Sequence, residues 1–128
     1  MRAMGDRRHA LGLAAEAAVA TWLEAAGWRL VARRTRSAHG GEVDIVGVDR
    51  EGNLVAVEVR ARRSARTGAA AWTVDRRRVA RLRRTLAEVA AVTSVPHHGL
   101  RVDLVSAEPV PGTPVRWRLR RIPGIDAG

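Results

Sequence analysis

The sequence predicts one α/β domain in which two helices accompany five strands. Two segments carry apolar residues at three- and four-residue spacing, which indicates amphipathic helices, and five shorter segments alternate apolar and polar residues at the strand period of two. The length of 128 residues is near the commonest domain size, and a hydrophobic content of 46% is enough to form a core. The whole chain is therefore expected to form a single domain.

Turn and cap residues divide the chain into its elements. Gly27 suits the position that ends the first helix, and Asp75 suits the cap that begins the second. Residues 61–70 are basic and rich in small residues, as expected of a connector. In chain order we predict a helix at 6–26, a strand at 28–36, a hairpin at 41–62, a helix at 75–92 and strands at 100–106 and 115–122.

The hairpin, GEVDIVGVDREGNLVAVEVRAR, is predicted to hold two carboxylates side by side. Valine and isoleucine alternate with Asp44 on one strand and with Glu58 and Arg60 on the other, so each strand has one apolar and one polar face. The polar loop at 49–53 favours a register that pairs Val48 with Leu54 and puts Asp44 opposite Glu58. Opposed like charges destabilise a sheet unless something neutralises them.

A bound Mg²⁺ or Mn²⁺ would neutralise this pair, because both ions favour oxygen ligands and commonly bind one or two carboxylates together with phosphate oxygens. Asp44 and Glu58 are therefore candidate metal ligands of a phosphodiesterase site. The alternative is a solvated sheet face on which Glu42 and Arg60 form a surface ion pair.

Glu16 of the first helix is a further candidate, since it falls within the apolar arc of the helical wheel. A carboxylate directed toward the core needs a partner, because burying an unpaired charge is costly. The options are an arginine such as Arg60 or Arg62 in a structural salt bridge, a metal-bound water, or a raised pKa.

The charge of the chain points to a polyanionic partner, above all nucleic acid. The formal net charge is +10 and the isoelectric point is about 11.8. The arginines expected to contact phosphate are Arg62, Arg63, Arg76, Arg77, Arg78 and Arg81. The alternative for the helical ones is a solvated helix face. With no cysteine and no membrane-spanning or signal segment, we expect a cytoplasmic protein without a membrane partner.

Three segments resemble the UPF0102 (YraN-like) family of small bacterial proteins: GLAAEAAVATWLEAAGWRLVARRTR, the pair GEVDIV and VAVEVRAR, and RVDLV. The resemblance implies a restriction endonuclease-like fold with a central mixed β-sheet, related to archaeal Holliday junction resolvases. In that superfamily, called PD-(D/E)XK, a strand acid and an E-x-K pair gather the metal and an early helix adds a Glu. The matching positions here are Asp44, Glu58 and Glu16, with Arg60 at the lysine position.

Arg60 is a departure from this pattern. Lysine can shift its pKa and help to activate water, whereas arginine stays charged and can only position and stabilise. The chain contains no lysine, so a compositional bias also accounts for the replacement.

Three functions remain open from the sequence. The first is a Mg²⁺- or Mn²⁺-dependent nuclease acting on DNA, with Glu16 as an outer ligand or water-orienting acid and Arg60 stabilising the scissile phosphate. The second is a nucleic-acid-binding protein without cleavage, and the third is an adaptor for an acidic protein. A homodimer is a further possibility that the resolvase resemblance raises.

Overall fold

The computed structural model describes residues 2–62, 75–112 and 115–127, with side chains from residue 9 onward. The predicted α/β class with five strands and two helices is confirmed. Most of the predicted connector, including Arg63, lies outside the described residues. The elements are α1 (Arg2–Ala25), β1 (Arg29–Arg36), β2 (Glu42–Val48), β3 (Asn53–Ala61), α2 (Arg76–Val92), β4 (Gly99–Val110) and β5 (Arg116–Ile122).

The residues predicted to bound the helices do so. Gly27 adopts a φ of +95° after α1, a conformation that glycine reaches without strain, and its nitrogen donates to the carbonyl of Glu24. The carboxylate of Asp75 accepts hydrogen bonds from the backbone nitrogens of Arg77 and Arg78, which satisfies donors that the first turn of α2 leaves free. Helix α1 begins at Arg2, four residues before the predicted start.

The five strands form one mixed sheet in the order β1-β2-β3-β4-β5. Strands β3 and β4 are parallel, and the other three neighbouring pairs are antiparallel. A parallel pair requires a crossover connection, and the connection between β3 and β4 contains α2. Within the described ranges, no helix is long and apolar enough to span a membrane.

Each face of the sheet is covered by one helix. On the α1 face, Val19 and Leu23 of α1 join a core cluster with Ile45 and Val57 of the sheet. On the α2 face, the helix contributes a second apolar set to another cluster. The members from α2 are Leu82, Leu86 and Val89, and those from the sheet include Val46, Leu54, Ala56 and Val102.

The prediction that each hairpin strand has one polar face is therefore wrong for most of its length. Ala56, assigned to the polar face, is fully buried against the α2 side, and so is Val46. The error follows from treating the hairpin as a two-layer structure, whereas a strand between two helices is buried on both sides. The acids of the hairpin that were predicted to bind metal, Asp44 and Glu58, follow directly after the last paired residues, Ile45 and Val57.

Strand β1 is irregular beside β2. The register shifts between Leu30 and Ala32, which indicates a β-bulge at Val31. Further along, Arg34 has a φ of +53°, the one positive value among the described residues other than glycine. Bulky residues rarely adopt this conformation, so local strain is concentrated at Arg34.

Candidate functional site

The candidate site lies where β2 separates from β3. The hairpin has the predicted register, in which Val48 pairs with Leu54, and its paired residues end at Ile45 and Val57. One position further, Asp44 does not continue the ladder toward Glu58. Its carboxylate instead accepts a 2.8 Å hydrogen bond from the backbone nitrogen of Val59. The two acids are therefore neighbours at an opening in the sheet.

A cleft of about 470 Å³ opens at this point between α1, β1 and the separating strands. Its lining combines three acidic and three basic side chains. The acids are Glu16, Glu42 and Asp44, and the bases are His9, Arg34 and Arg36. Mixed charge of this kind suits an anionic ligand that is held together with a cation.

Asp44 has a strongly perturbed acidity. The pKa of Asp44 is raised from 3.8 to about 6, with burial as the largest cause and the negative charges of Glu16 and Glu58 acting in the same direction. The hydrogen bond from Val59 and the charge of Arg78 act in the opposite direction and lower it. An acid whose ionised form is so disfavoured gains from a nearby cation, and such groups concentrate at functional sites.

Glu16 is buried, as the helical wheel predicted, with 6% of its surface exposed. Its Oε1 atom lies 3.4 Å from Nε of Arg34 and 3.6 Å from Nη2 of Arg33, yet it makes no hydrogen bond. The predicted candidate is thus brought into the same cleft as Asp44. Its partners on β1 were not predicted. The buried oxygen therefore has two guanidinium groups nearby but no hydrogen-bonded partner.

Glu58 is also buried, with 5% of its surface exposed, but it belongs to the opposite face of the sheet. Val57 and Val59 pack toward α1, so the side chain between them is directed toward α2. There its Oε1 atom forms an ion pair with Nε of Arg78. Arg78, predicted to contact nucleic acid, therefore compensates a candidate metal ligand.

The other predicted basic residues lie near this position. Arg60 follows Glu58 on the same face of β3, and the backbone nitrogen of Arg62 donates to the carbonyl of Ala107 on β4. Arg76, Arg77 and Arg81 are exposed on α2, as a nucleic-acid interface requires. The predicted alternative pairing of Glu42 is replaced by a different neighbour, because Glu42 pairs with Arg36 of β1 at 3.2 Å.

The carboxylates fit a divalent cation in part. Among the residues that the structure describes, no group of three or more His, Asp or Glu side chains is arranged to hold a metal ion. Asp44 and Glu58 nevertheless interact electrostatically, and Glu16 adds a buried oxygen without a hydrogen bond. Two carboxylates with water and phosphate oxygens are sufficient for Mg²⁺. Glu58 is directed to the opposite face and is paired with Arg78, so it would share an ion with Asp44 only after it leaves Arg78.

Asp103, the acid of the RVDLV segment, does not line the cleft and belongs to a buried network of hydrogen bonds. It is fully buried and accepts hydrogen bonds from Arg101, Arg121 and the backbone nitrogen of Gly124. Arg101 also bonds Asp49 at 2.9 Å in the hairpin loop. This network joins β4, β5 and the hairpin loop at some distance along the sheet from the cleft.

Sequence reasoning missed the basic side of the cleft. Arg33 and Thr35 pair with Ile45 and Val43, so the register sets Arg34 across from Asp44. The short loop at 37–41 was a usable signal, because it makes β1 the antiparallel neighbour of β2. The strain at Arg34 had no signal in the sequence.

Comparison with known proteins identifies a family whose description names no activity. The model of a family described as "Uncharacterised protein family UPF0102" matches residues 15–107. UPF0102 proteins of Burkholderia pseudomallei strain 1106a and Burkholderia mallei strain NCTC 10229 are each 46% identical over 81 residues, and one from Burkholderia thailandensis is 44% identical. Each match covers 63% of this chain and 55% of the relative, so the chain spans about half the length of these relatives.

Proposed function

Because the chain belongs to the UPF0102 family, whose description assigns no activity, we propose from its own residues that it is a divalent-metal-dependent phosphodiesterase acting on nucleic acid. The observation that carries the proposal is the cleft of mixed charge, in which Asp44 has a pKa raised to about 6 and the buried Oε1 atom of Glu16 lacks a hydrogen bond. In a protein of net charge +10, these acids offer candidate ligands for a cation beside a surface for polyanions.

The fold supports the proposal by analogy. A mixed five-stranded sheet between two helices, with the acids near the ends of β2 and β3, matches the arrangement that the restriction endonuclease-like resemblance implies. We therefore include that fold assignment in the proposal. A fold hosts many functions, so the argument rests on the cleft and uses the fold only as support.

In the proposed reaction, Asp44 and Glu58 would hold Mg²⁺ or Mn²⁺, and Glu16 would orient a water or Arg34 from the edge of the cleft. When bound, the ion would supply electrostatic stabilisation of the charge that develops on the phosphodiester. The hydrogen bond from Val59 fixes the carboxylate of Asp44, so the acid is positioned before substrate binds. Arg60 would stabilise charge on the scissile phosphate.

Glu58 must exchange partners in this scheme. Its ion pair with Arg78 leaves one cation on the carboxylate in the absence of metal, and metal binding would release that guanidinium. Arg78 would then be free to contact a phosphate near the start of α2, which reconciles its predicted role with its observed one.

A second candidate function is binding of nucleic acid without cleavage. It is favoured by one observation, namely that Arg78 already neutralises Glu58 while Arg60 occupies the position of the expected lysine. In this case arginines of the protein itself neutralise the acids, and the basic surface alone carries the function of binding nucleic acid.

The deciding experiment is cleavage of supercoiled, linear and branched DNA and of RNA in Mn²⁺, Mg²⁺ or EDTA. We expect metal-dependent cleavage by the wild type and a loss of about 100-fold or more in Asp44→Asn. Glu42→Gln is the matched control, because Glu42 lines the same cleft but is exposed and paired with Arg36.

Two outcomes contradict the nuclease proposal. If Asp44→Asn cleaves at the wild-type rate, the activity belongs elsewhere. If the wild type binds nucleic acid but leaves every substrate intact in either metal, the binding function replaces the nuclease.

A further inference from the structure

Strand β5 carries a row of arginines that the predicted nucleic-acid interface did not include. Trp117 and Leu119 are packed against the core cluster on the α1 face. Side chains alternate along a strand, so Arg116, Arg118 and Arg120 are directed to the opposite, α2 face.

The register connects this row with the candidate site. Arg60 on β3 pairs with Ser106 on β4, and Ser106 pairs in turn with Arg120 on β5. Neighbouring strands are about 4.8 Å apart, so the backbones of Arg60 and Arg120 are roughly 10 Å apart on one face. The cation expected at the scissile phosphate therefore begins a line of positive charge that crosses the sheet.

The row is poorly compensated within the protein. Arg118 is 3.7 Å from Glu108, and its side chain is 69% exposed. Arg116 and Arg120 are exposed, and in the part of the chain that the structure describes neither has an ion pair with a carboxylate. Like charges along one face of a strand repel unless an anion lies over them.

We propose that this row, defined as Arg116, Arg118 and Arg120, binds the phosphate backbone of a nucleic-acid duplex on the α2 face of the sheet, in line with Arg60. The inference rests on the proposed function for its nucleic-acid partner and extends it by assigning the interface. A duplex presents a dense, regular line of phosphates to which extended arginines can bind.

The aromatic residues argue against a single strand as the occupant. Single-strand binding uses aromatic side chains as stacking platforms. On β5 the aromatic residue, Trp117, is directed to the α1 face, away from the arginine row. The exposed Trp22, 37% accessible, belongs to α1 on that same side.

The test compares two double variants of the full chain. Arg116→Gln with Arg120→Gln removes two charges from the row, and Arg29→Gln with Arg50→Gln removes two exposed charges at the opposite end of the sheet. Arg29 pairs with Val48 and Arg50 lies in the hairpin loop, so neither contacts the cleft. Both variants change the net charge equally, and thermal unfolding checks that both fold.

The measurement is the dissociation constant for short duplex DNA and duplex RNA over a series of KCl concentrations. Each lost phosphate contact reduces the slope of log affinity against log salt by about 0.9 for a DNA duplex. We expect the row variant to lose about 1.8 of this slope and the control variant to lose much less. The DNA and RNA arms identify which duplex is bound.

Two results overturn the inference and are separable. If the wild type binds and cleaves nucleic acid but the row variant keeps the wild-type slope, the row is not the interface and the proposed function stands. If the wild type shows no salt-dependent binding to either duplex, the inference fails, and the proposed function is then decided by the cleavage experiment alone.

Discussion

The carboxylate of Asp44 accepts a hydrogen bond from the backbone nitrogen of Val59, 2.8 Å away, and so joins β2 to β3 beyond their last paired residues. The carboxylate here accepts a backbone hydrogen bond of the kind that a carbonyl of the neighbouring strand accepts in a regular ladder. The bond holds the carboxylate in one orientation while its other oxygen is left to the cleft. Because this hydrogen bond comes from the protein itself, the position of the Asp44 carboxylate does not depend on a bound ion.

Replacing Asp44 with Asn should stabilise the metal-free protein at neutral and alkaline pH. The folded pKa of about 6 exceeds the ordinary 3.8, so the folded protein binds the proton more tightly and loses stability as pH rises between these values. A shift of about two pKa units corresponds to an upper limit of about 3 kcal/mol. The amide keeps an acceptor for Val59.

We therefore expect Asp44→Asn to unfold in urea with a free energy about 1–3 kcal/mol above that of the wild type at pH 8 in EDTA. The difference should shrink toward zero near pH 4, where the native carboxyl is protonated. A difference that is constant across this range would show that ionisation of Asp44 is not the cause.

Replacing Arg78 with Ala should destabilise the protein in EDTA and tighten Mn²⁺ binding. The substitution leaves the buried Glu58 without its cation, and breaking a buried pair costs about 3–5 kcal/mol. We expect about 1–3 kcal/mol here, because the Arg78 side chain is 44% exposed and solvent screens the interaction.

Arg77→Ala is the matched control, since Arg77 is the neighbouring exposed residue of the same helix turn. Urea unfolding and Mn²⁺ titration calorimetry measure the two effects. Weaker Mn²⁺ binding by Arg78→Ala than by the control would contradict the idea that Arg78 competes with metal for Glu58.

Replacing Arg34 with Gly should be nearly neutral or stabilising, whereas Arg33→Gly should destabilise. A left-handed conformation costs an ordinary residue about 1–2 kcal/mol, and glycine adopts it freely. At Arg33, where φ is ordinary, glycine instead weakens the strand by about 0.5–1 kcal/mol. Both substitutions remove one ion-pair partner of Glu16, so the comparison isolates the backbone. Equal losses in chemical unfolding would show that Arg34 is unstrained.

Replacing Asp103 with Asn should lower the free energy of unfolding by about 3–5 kcal/mol without changing Mn²⁺ affinity. The side chain of Asp103 is fully buried and accepts hydrogen bonds from both Arg101 and Arg121. A neutral amide at this position would leave both guanidinium groups without the carboxylate that they share. Glu108→Gln breaks the longer, more exposed contact with Arg118 and should change stability by less than about 1 kcal/mol. A loss of Mn²⁺ binding in a folded Asp103→Asn protein would assign Asp103 to the metal site.

Local patterns predicted much of the fold. The cap at Asp75, the glycine end of α1 and the pairing of Val48 with Leu54 depend on residues close together in the chain, so the sequence contained sufficient information. The burial of Glu16 followed from helical geometry in the same way. These features depend on short-range stereochemistry.

The remaining features depend on contacts between distant segments. The ion pair between Glu58 and Arg78 requires the crossover helix to pass over β3, and no spacing in the sequence specifies which arginine of a run arrives there. The register of β2 and β3 was predicted correctly, but the pattern of residues did not indicate that the two strands separate at Asp44.

The parallel pairing of β3 with β4 also sets an order of folding. It joins residues 46 positions apart, as in Asn53 with Gly99 and Ala61 with Ala107, whereas the hairpin of β2 and β3 closes locally. Closing long loops is slow, so β3 is expected to remain an unpaired edge while the later strands are still being synthesised. An apolar edge of this kind favours aggregation. Because the crossover from β3 to β4 contains α2, Glu58 is expected to gain its partner Arg78 and its neighbour Leu104 late in folding, and any phosphodiesterase activity would then require the fully folded chain.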